Sequence, residues 1–133
     1  MELNEYQRLA QRTCNMTDSP EAKVENGVLG MCGEAGECAD LLKKHRHQKH
    51  DFDREKMLEE AGDVLWYIAE LAAGLNATLE EVAQHNIDKL KKRYPEGFDP
   101  QRSIHRPEYE AKNKEENHGS TPALLFDMRN KPV

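Results

Sequence analysis

Residues 57–71 read Met57-Leu58-Glu59-Glu60-Ala61-Gly62-Asp63-Val64-Leu65-Trp66-Tyr67-Ile68-Ala69-Glu70-Leu71. The apolar residues in this stretch do not alternate. They return every three or four positions, which is the period of an α-helix. At about 100° per residue, Met57, Ala61, Val64, Leu65, Ile68 and Leu71 turn toward one broad face. Glu60 falls inside that face, about 40° from Val64, and Asp63 and Tyr67 lie along its near edge. Glu59 and Glu70 point the opposite way, where solvated acids belong. Trp66 projects from another side again, so this helix needs cover on more than one flank, and a partner subunit would supply it.

Working outward, Asp53 is a plausible N-cap for this helix and Gly74 a plausible C-cap. Upstream, a longer helix is expected from about Glu21, after Pro20, to about His45, with Lys43 and Lys44 near its negative end. A first helix over roughly 3–13 lines up Leu3, Tyr6, Leu9, Ala10 and Thr13. A fourth opens with Thr78-Leu79-Glu80-Glu81, a capping-box pattern, and stops before Pro95. Leu79, Ala83, Ile87, Leu90 and Tyr94 form its apolar side. Nothing in this region alternates with period two, and the connections are short. The expected fold is therefore all-α, an antiparallel bundle of about four helices. Five of the six prolines follow residue 94. We expect a helical domain over 1–94 and an extended or partly disordered tail over 95–133, in which Ala123-Leu124-Leu125-Phe126 is the one apolar cluster.

The composition excludes several classes. With 133 residues the chain has room for one cored domain. Its net charge of −6 disfavours a nucleic-acid polymer as partner. The mean hydropathy is −0.93, and no run approaches the ~20 apolar residues of a membrane span. The acidic start, Met1-Glu2-Leu3-Asn4-Glu5, lacks the apolar core of a secretory leader, and a cytoplasmic location is expected. Cys14, Cys32 and Cys38 form no Cys-x-x-Cys pair and read as reduced, packing thiols. No Gly-x-x-x-x-Gly-Lys-Ser/Thr phosphate loop is present.

The informative residues are acids set among apolar neighbours. On the second helix, Met31, Ala35, Cys38, Leu41 and Leu42 make a face that contains Glu34, with Glu37 about 60° away at one edge. Two neighbouring helices thus each carry an acid pair at i, i+3: Glu34 with Glu37, and Glu60 with Asp63. A buried, unpaired carboxylate costs several kcal/mol, so such groups shift their pKa, pair with a cation or bind metal. Lysines and arginines of adjacent helices are one answer. A hard divalent ion with oxygen ligands, Mg²⁺ or Mn²⁺, is the other. Gly27, Gly30, Gly33 and Gly36 recur at every third position of the second helix, which fits either close helix packing or close approach of a ligand. On the fourth helix Asn86 intrudes on the apolar face, and Lys89 and Arg93 follow along the same edge, a set that suits a polyanion such as a triphosphate. His45-Arg46-His47-Gln48-Lys49-His50 reads as a solvated helix end, with a transition-metal site or a phosphate-reaching loop as the functional alternatives.

Taken in order, Glu34-x-x-Glu37, a gap of 22 residues, Glu60-x-x-Asp63, and then Asn86-x-x-Lys89-x-x-x-Arg93-Tyr94-Pro95 resemble the MazG-like all-α nucleoside triphosphate pyrophosphohydrolases. Gly33-Glu34-Ala35-Gly36-Glu37 and Glu59-Glu60-Ala61-Gly62-Asp63-Val64-Leu65-Trp66-Tyr67 add to the likeness, which covers roughly residues 3–98. The resemblance implies a homodimer or homotetramer and Mg²⁺-dependent cleavage of an NTP or dNTP to monophosphate and pyrophosphate. By position, Glu34, Glu37, Glu60 and Asp63 would hold metal, and Glu37, with Glu34 beside it, is the candidate to orient or deprotonate the attacking water. Asn86, Lys89 and Arg93 would bind substrate, and Tyr6 and Gln7 would help form the nucleoside pocket. A base-specific dUTP or dCTP pyrophosphatase on the same fold fits equally well. From another class, the competing reading is a non-enzymatic, metal-binding helical interaction module.

Overall fold

The computed structural model describes residues 1–15 and 17–105. They are helical throughout, with no strand among them: α1 (Leu3–Ala10), a 3₁₀ turn (Gln11–Thr13), α2 (Pro20–Gln48), α3 (Arg54–Gly74), α4 (Leu79–Arg93) and the short α5 (Pro100–Ile104). The chain divides into two compact units, Met1–Ile87 and Asp88–Val133. The division falls inside α4, a little before the boundary expected at residue 94. The second unit includes α5, so the region after Pro95 is not wholly extended. Asp99 caps α5 by accepting from the Gln101 and Arg102 backbone N–H groups. The cluster at 123–126 lies outside the described residues.

Local chemistry sets the helix limits. Pro20 occupies the first turn of α2, where its missing N–H costs nothing, and the Ser19 hydroxyl accepts from the Ala22 N–H at 3.2 Å. Asp53 caps α3 as expected, accepting from the Lys56 N–H at 2.9 Å. Gly74 is the last residue of α3 rather than its cap; Leu75 takes that place, and Asn76 makes the left-handed step with φ 53°. Thr78 accepts from the Glu81 N–H at 3.1 Å at the start of α4.

In the first unit α2 and α3 run antiparallel and pack along their length, with α1 against α3. The short loops have therefore built a hairpin with a third helix laid on it. Gly27 and Gly30 permit the close approach. A Cβ on Gly27 would lie 2.8 Å from the Leu71 Cβ, and one on Gly30 would enter the Tyr67 ring. Around Gly33 and Gly36 there is open space, so packing within the described residues accounts for only half of the glycine run.

The fully buried apolar core is small. Ala10, Ala69, Ala72 and Leu79 form it, and Tyr6, Trp66 and Ile68 pack against it. The Trp66 indole N–H donates to the Thr13 hydroxyl at 2.8 Å, so the flank assigned to a partner subunit is partly covered by the chain's own N-terminal segment. A second expectation is reversed outright. Glu70, placed in solvent by the helical wheel, is 1% exposed and accepts from Asn26 Nδ2 at 2.6 Å across the α2–α3 seam. The wheel allowed α3 one buried face, whereas contacts with both α1 and α2 bury two.

Candidate metal centre

The acids come from α2 and α3 where the two helices face each other. Carboxylate oxygens of Glu34, Glu60 and Asp63 all lie within 4.8 Å of one another. Glu60 is buried, Glu34 half-buried and Asp63 exposed. The group thus reaches from the seam between the helices out to solvent. Its donors are all hard oxygens, the set that Mg²⁺ and Mn²⁺ prefer. Among the described residues no histidine or cysteine joins such a group.

Glu37, the fourth acid of the pattern, is exposed and outside this trio. Its charge adds, as the smallest of several causes, to the upward push on the Lys44 ammonium, which comes first from its bond to Asp40. Asp40 is itself clasped by Lys43 and, at 2.7 Å, by Lys44. Those hydrogen bonds hold its carboxyl down at about 2.

One cation sits on the trio. Lys56 Nζ lies 3.0 Å from Glu60 Oε1 and 3.1 Å from Glu59 Oε2. The hydrogen bonds it donates to these two acids, Glu60 first, raise the lysine well above its ordinary range. Glu34 and Asp63 form no ion pair among the described residues. The structure therefore supplies one positive charge to the three converging carboxylates, at the buried Glu60, while Asp63 is open to solvent. No pattern in the motif pointed to Lys56. Its only signal in the sequence is the i, i+4 and i, i+3 spacing to Glu60 and Glu59 on one helix.

The expected nucleotide-binding residues fare unequally. Tyr6 is half-buried beside Asp63: burial first, and the Asp63 charge second, push its phenol up. Gln7 has a different role. It is buried, donates from Nε2 to the Ala77 carbonyl at 3.1 Å and the Ala69 carbonyl at 3.5 Å, and accepts from the Leu79 N–H at 2.9 Å. Its amide thus fastens α1 to the α3–α4 turn, and Gln7 also lines a cavity there with Asn4, Arg8 and Thr78. Asn4 reinforces it, donating to Glu80 Oε2 at 2.7 Å and accepting from the Glu80 N–H at 3.2 Å. Asn86 and Lys89 are exposed on α4, and Arg93 is half-buried at its last turn. Their i, i+3, i+7 spacing keeps them along one side of that helix.

The histidine-rich run closes the end of α2. Lys49 adopts the left-handed conformation with φ 61°. His45 Nδ1 lies 2.9 Å from the His50 carbonyl, and the His45 ring meets Phe52 edge-on at 5.6 Å. Cys14 is buried and its thiol is pushed up chiefly by burial. Cys32 is exposed, so it is not the packing group expected of it.

Residues 23–98 match the family model of the MazG nucleotide pyrophosphohydrolase domain. That match covers more than half of the chain, which belongs to the MazG family. A curated relative, the Gene 37 protein of Mycobacterium phage L5, is 40% identical over 74 residues, or 53% of this chain and 65% of that protein. The aligned chain thus spans a little under two thirds of its relative's length. No solved structure matches it. No helix of the described residues is long and apolar enough to cross a membrane.

Proposed function

We propose that the protein is a Mg²⁺-dependent nucleoside triphosphate pyrophosphohydrolase, releasing pyrophosphate and a nucleoside monophosphate from an NTP or dNTP. The observation that carries this reading is the meeting of Glu34, Glu60 and Asp63 within 4.8 Å between α2 and α3, in a chain of the MazG family. An acidic site takes a triphosphate only through bridging cations, and these three side chains have the oxygen donors to hold Mg²⁺, or Mn²⁺ in its place. When bound, such an ion neutralises phosphate oxygens and lowers the pKa of a water. Glu37, one turn on from Glu34 and exposed, is proposed to orient that water or take its proton. Lys89 and Arg93 are proposed to bind the phosphates as charge accumulates on pyrophosphate, with Asn86 supporting substrate or metal. Tyr6, beside Asp63, is proposed to line the nucleoside pocket. These roles place the catalytic part within 1–94 and make 95–133 an appended tail.

The assay is a panel of common NTPs and dNTPs with Mg²⁺, reading pyrophosphate and monophosphate together. It also separates a broad enzyme from one dedicated to dUTP or dCTP. Asp63→Ala and Glu34→Ala are expected to lose on the order of a hundredfold or more in turnover, with the helical CD spectrum unchanged. Wild-type rates in both variants would refute the site assignment.

A further inference from the structure

Lys56 occupies an unusual place. Its ammonium bridges two carboxylates of its own helix, Glu60 at 3.0 Å and Glu59 at 3.1 Å. The Glu60 side chain is 10% exposed and belongs to the acid trio, while the Glu59 side chain is 65% exposed and lies outside it. A carboxylate taken out of water needs a partner, whereas an exposed one gains little from an ion pair. Glu60 therefore holds the lysine, and Glu59 offers a second seat one step around the helix. One ammonium is also too little charge for three carboxylates, since Glu34 and Asp63 have no cation of their own among the described residues.

We propose that Lys56 is the resident counter-ion of the acid trio, seated on Glu60 while no divalent ion is present and displaced toward Glu59 when one binds. This rests on the reading of Glu34, Glu60 and Asp63 as a divalent-cation site. Two cations drawn to Glu60 repel each other, so the lysine competes with the metal, and Glu59 weakens that competition by holding the lysine aside. Lys56 thus sets the metal concentration at which the site fills, and it keeps the metal-free acids from repelling one another.

Mn²⁺ serves as the probe, with its free concentration followed by electron paramagnetic resonance against the full chain at fixed pH and ionic strength. Lys56→Gln is expected to bind Mn²⁺ about three- to tenfold more tightly than wild type, and Glu59→Gln to bind it more weakly by a similar factor. A general effect of nearby charge would make the two changes additive. If Glu59 acts through the lysine, the Glu59→Gln effect disappears in the Lys56→Gln background. Both side chains are largely solvated, and far-UV CD checks that the variants fold. Unchanged or weaker Mn²⁺ binding by Lys56→Gln, or additivity in the double variant, overturns the proposal. Should Lys56→Gln leave Mn²⁺ binding alone and raise KM for the triphosphate, Lys56 is a substrate ligand and the proposal also falls. The enzymatic reading fails separately if wild type binds Mn²⁺ yet cleaves no triphosphate, in which case the affinity shifts still decide the role of Lys56. Absence of Mn²⁺ binding in all four proteins refutes both.

Discussion

Glu60 and Glu70 show what a helical wheel resolves at the scale of one residue. Glu60 is predicted to face inward and does so, buried between α2 and α3 with Lys56 as its cation. Glu70, ten residues on and expected in solvent, is the more deeply buried of the two. A wheel ranks positions against one apolar face, and it has no way to show that α3 is contacted on two sides. The partner of Glu70, Asn26, lies 44 positions away, beyond the reach of any local pattern. The fastening role of Gln7 is hidden for the same reason, since its partners Ala69, Ala77 and Leu79 are all remote in sequence. Removing the buried carboxylate strands the Asn26 amide and opens a void. Glu70→Ala is therefore expected to lose about 1–3 kcal/mol of unfolding free energy, read from urea denaturation. An unchanged midpoint would show that the bond contributes nothing net.

Among the elements, the main helices were legible from their period, and three of them also from signals that act within a single turn, Pro20, Asp53 and Thr78, whereas the Ser19 cap was not read. The pairing of α2 with α3 was legible only in outline. It is set by side chains meeting glycine backbone: Leu71 opposite Gly27, and the Tyr67 ring across Gly30. Tyr67 and Gly30 lie one turn from Asp63 and Glu34 respectively, so the contact that closes the seam also sets the separation of the acids. Gly30→Ala must displace the Tyr67 ring, which Trp66 meets edge-on. We expect it to cost about 1–3 kcal/mol and to weaken divalent-ion binding. Tyr67→Leu in the same chain is expected to recover part of the stability, and calorimetry of both variants checks this. If Gly30→Ala melts as wild type does, α2 and α3 are less tightly matched than their spacing indicates.

For the molecule as a whole, the apolar surface is the dominant fact. Leu29 is 65% exposed, and Leu58, Leu65, Val82 and Ile87 are also exposed, while the buried apolar cluster of the first unit is mostly alanine. A side chain of that size left wholly in water forgoes about 1.5–3 kcal/mol of transfer free energy, and each of these, partly exposed, forgoes a share of it. The proposal that a partner chain covers part of the surface therefore turns on these residues rather than on Trp66, which Thr13 already engages. We expect a homodimer or homotetramer at micromolar concentration by sedimentation velocity. Leu58→Glu with Leu65→Glu should shift it toward monomer and lower the melting temperature. A wild-type protein that sediments as a monomer would leave this surface without an explanation.

The chain carries a single tryptophan. Trp66 donates to Thr13 just beyond α1 and stacks edge-on against Tyr67 at 4.9 Å, in the turn next to Asp63. Indole fluorescence from this protein therefore originates at one address, the joint between the N-terminal segment and the acid-bearing helix. Its wavelength and quenching report the solvation of that joint without any introduced label, so loosening of the N-terminal helix and global melting can be followed as separate optical events.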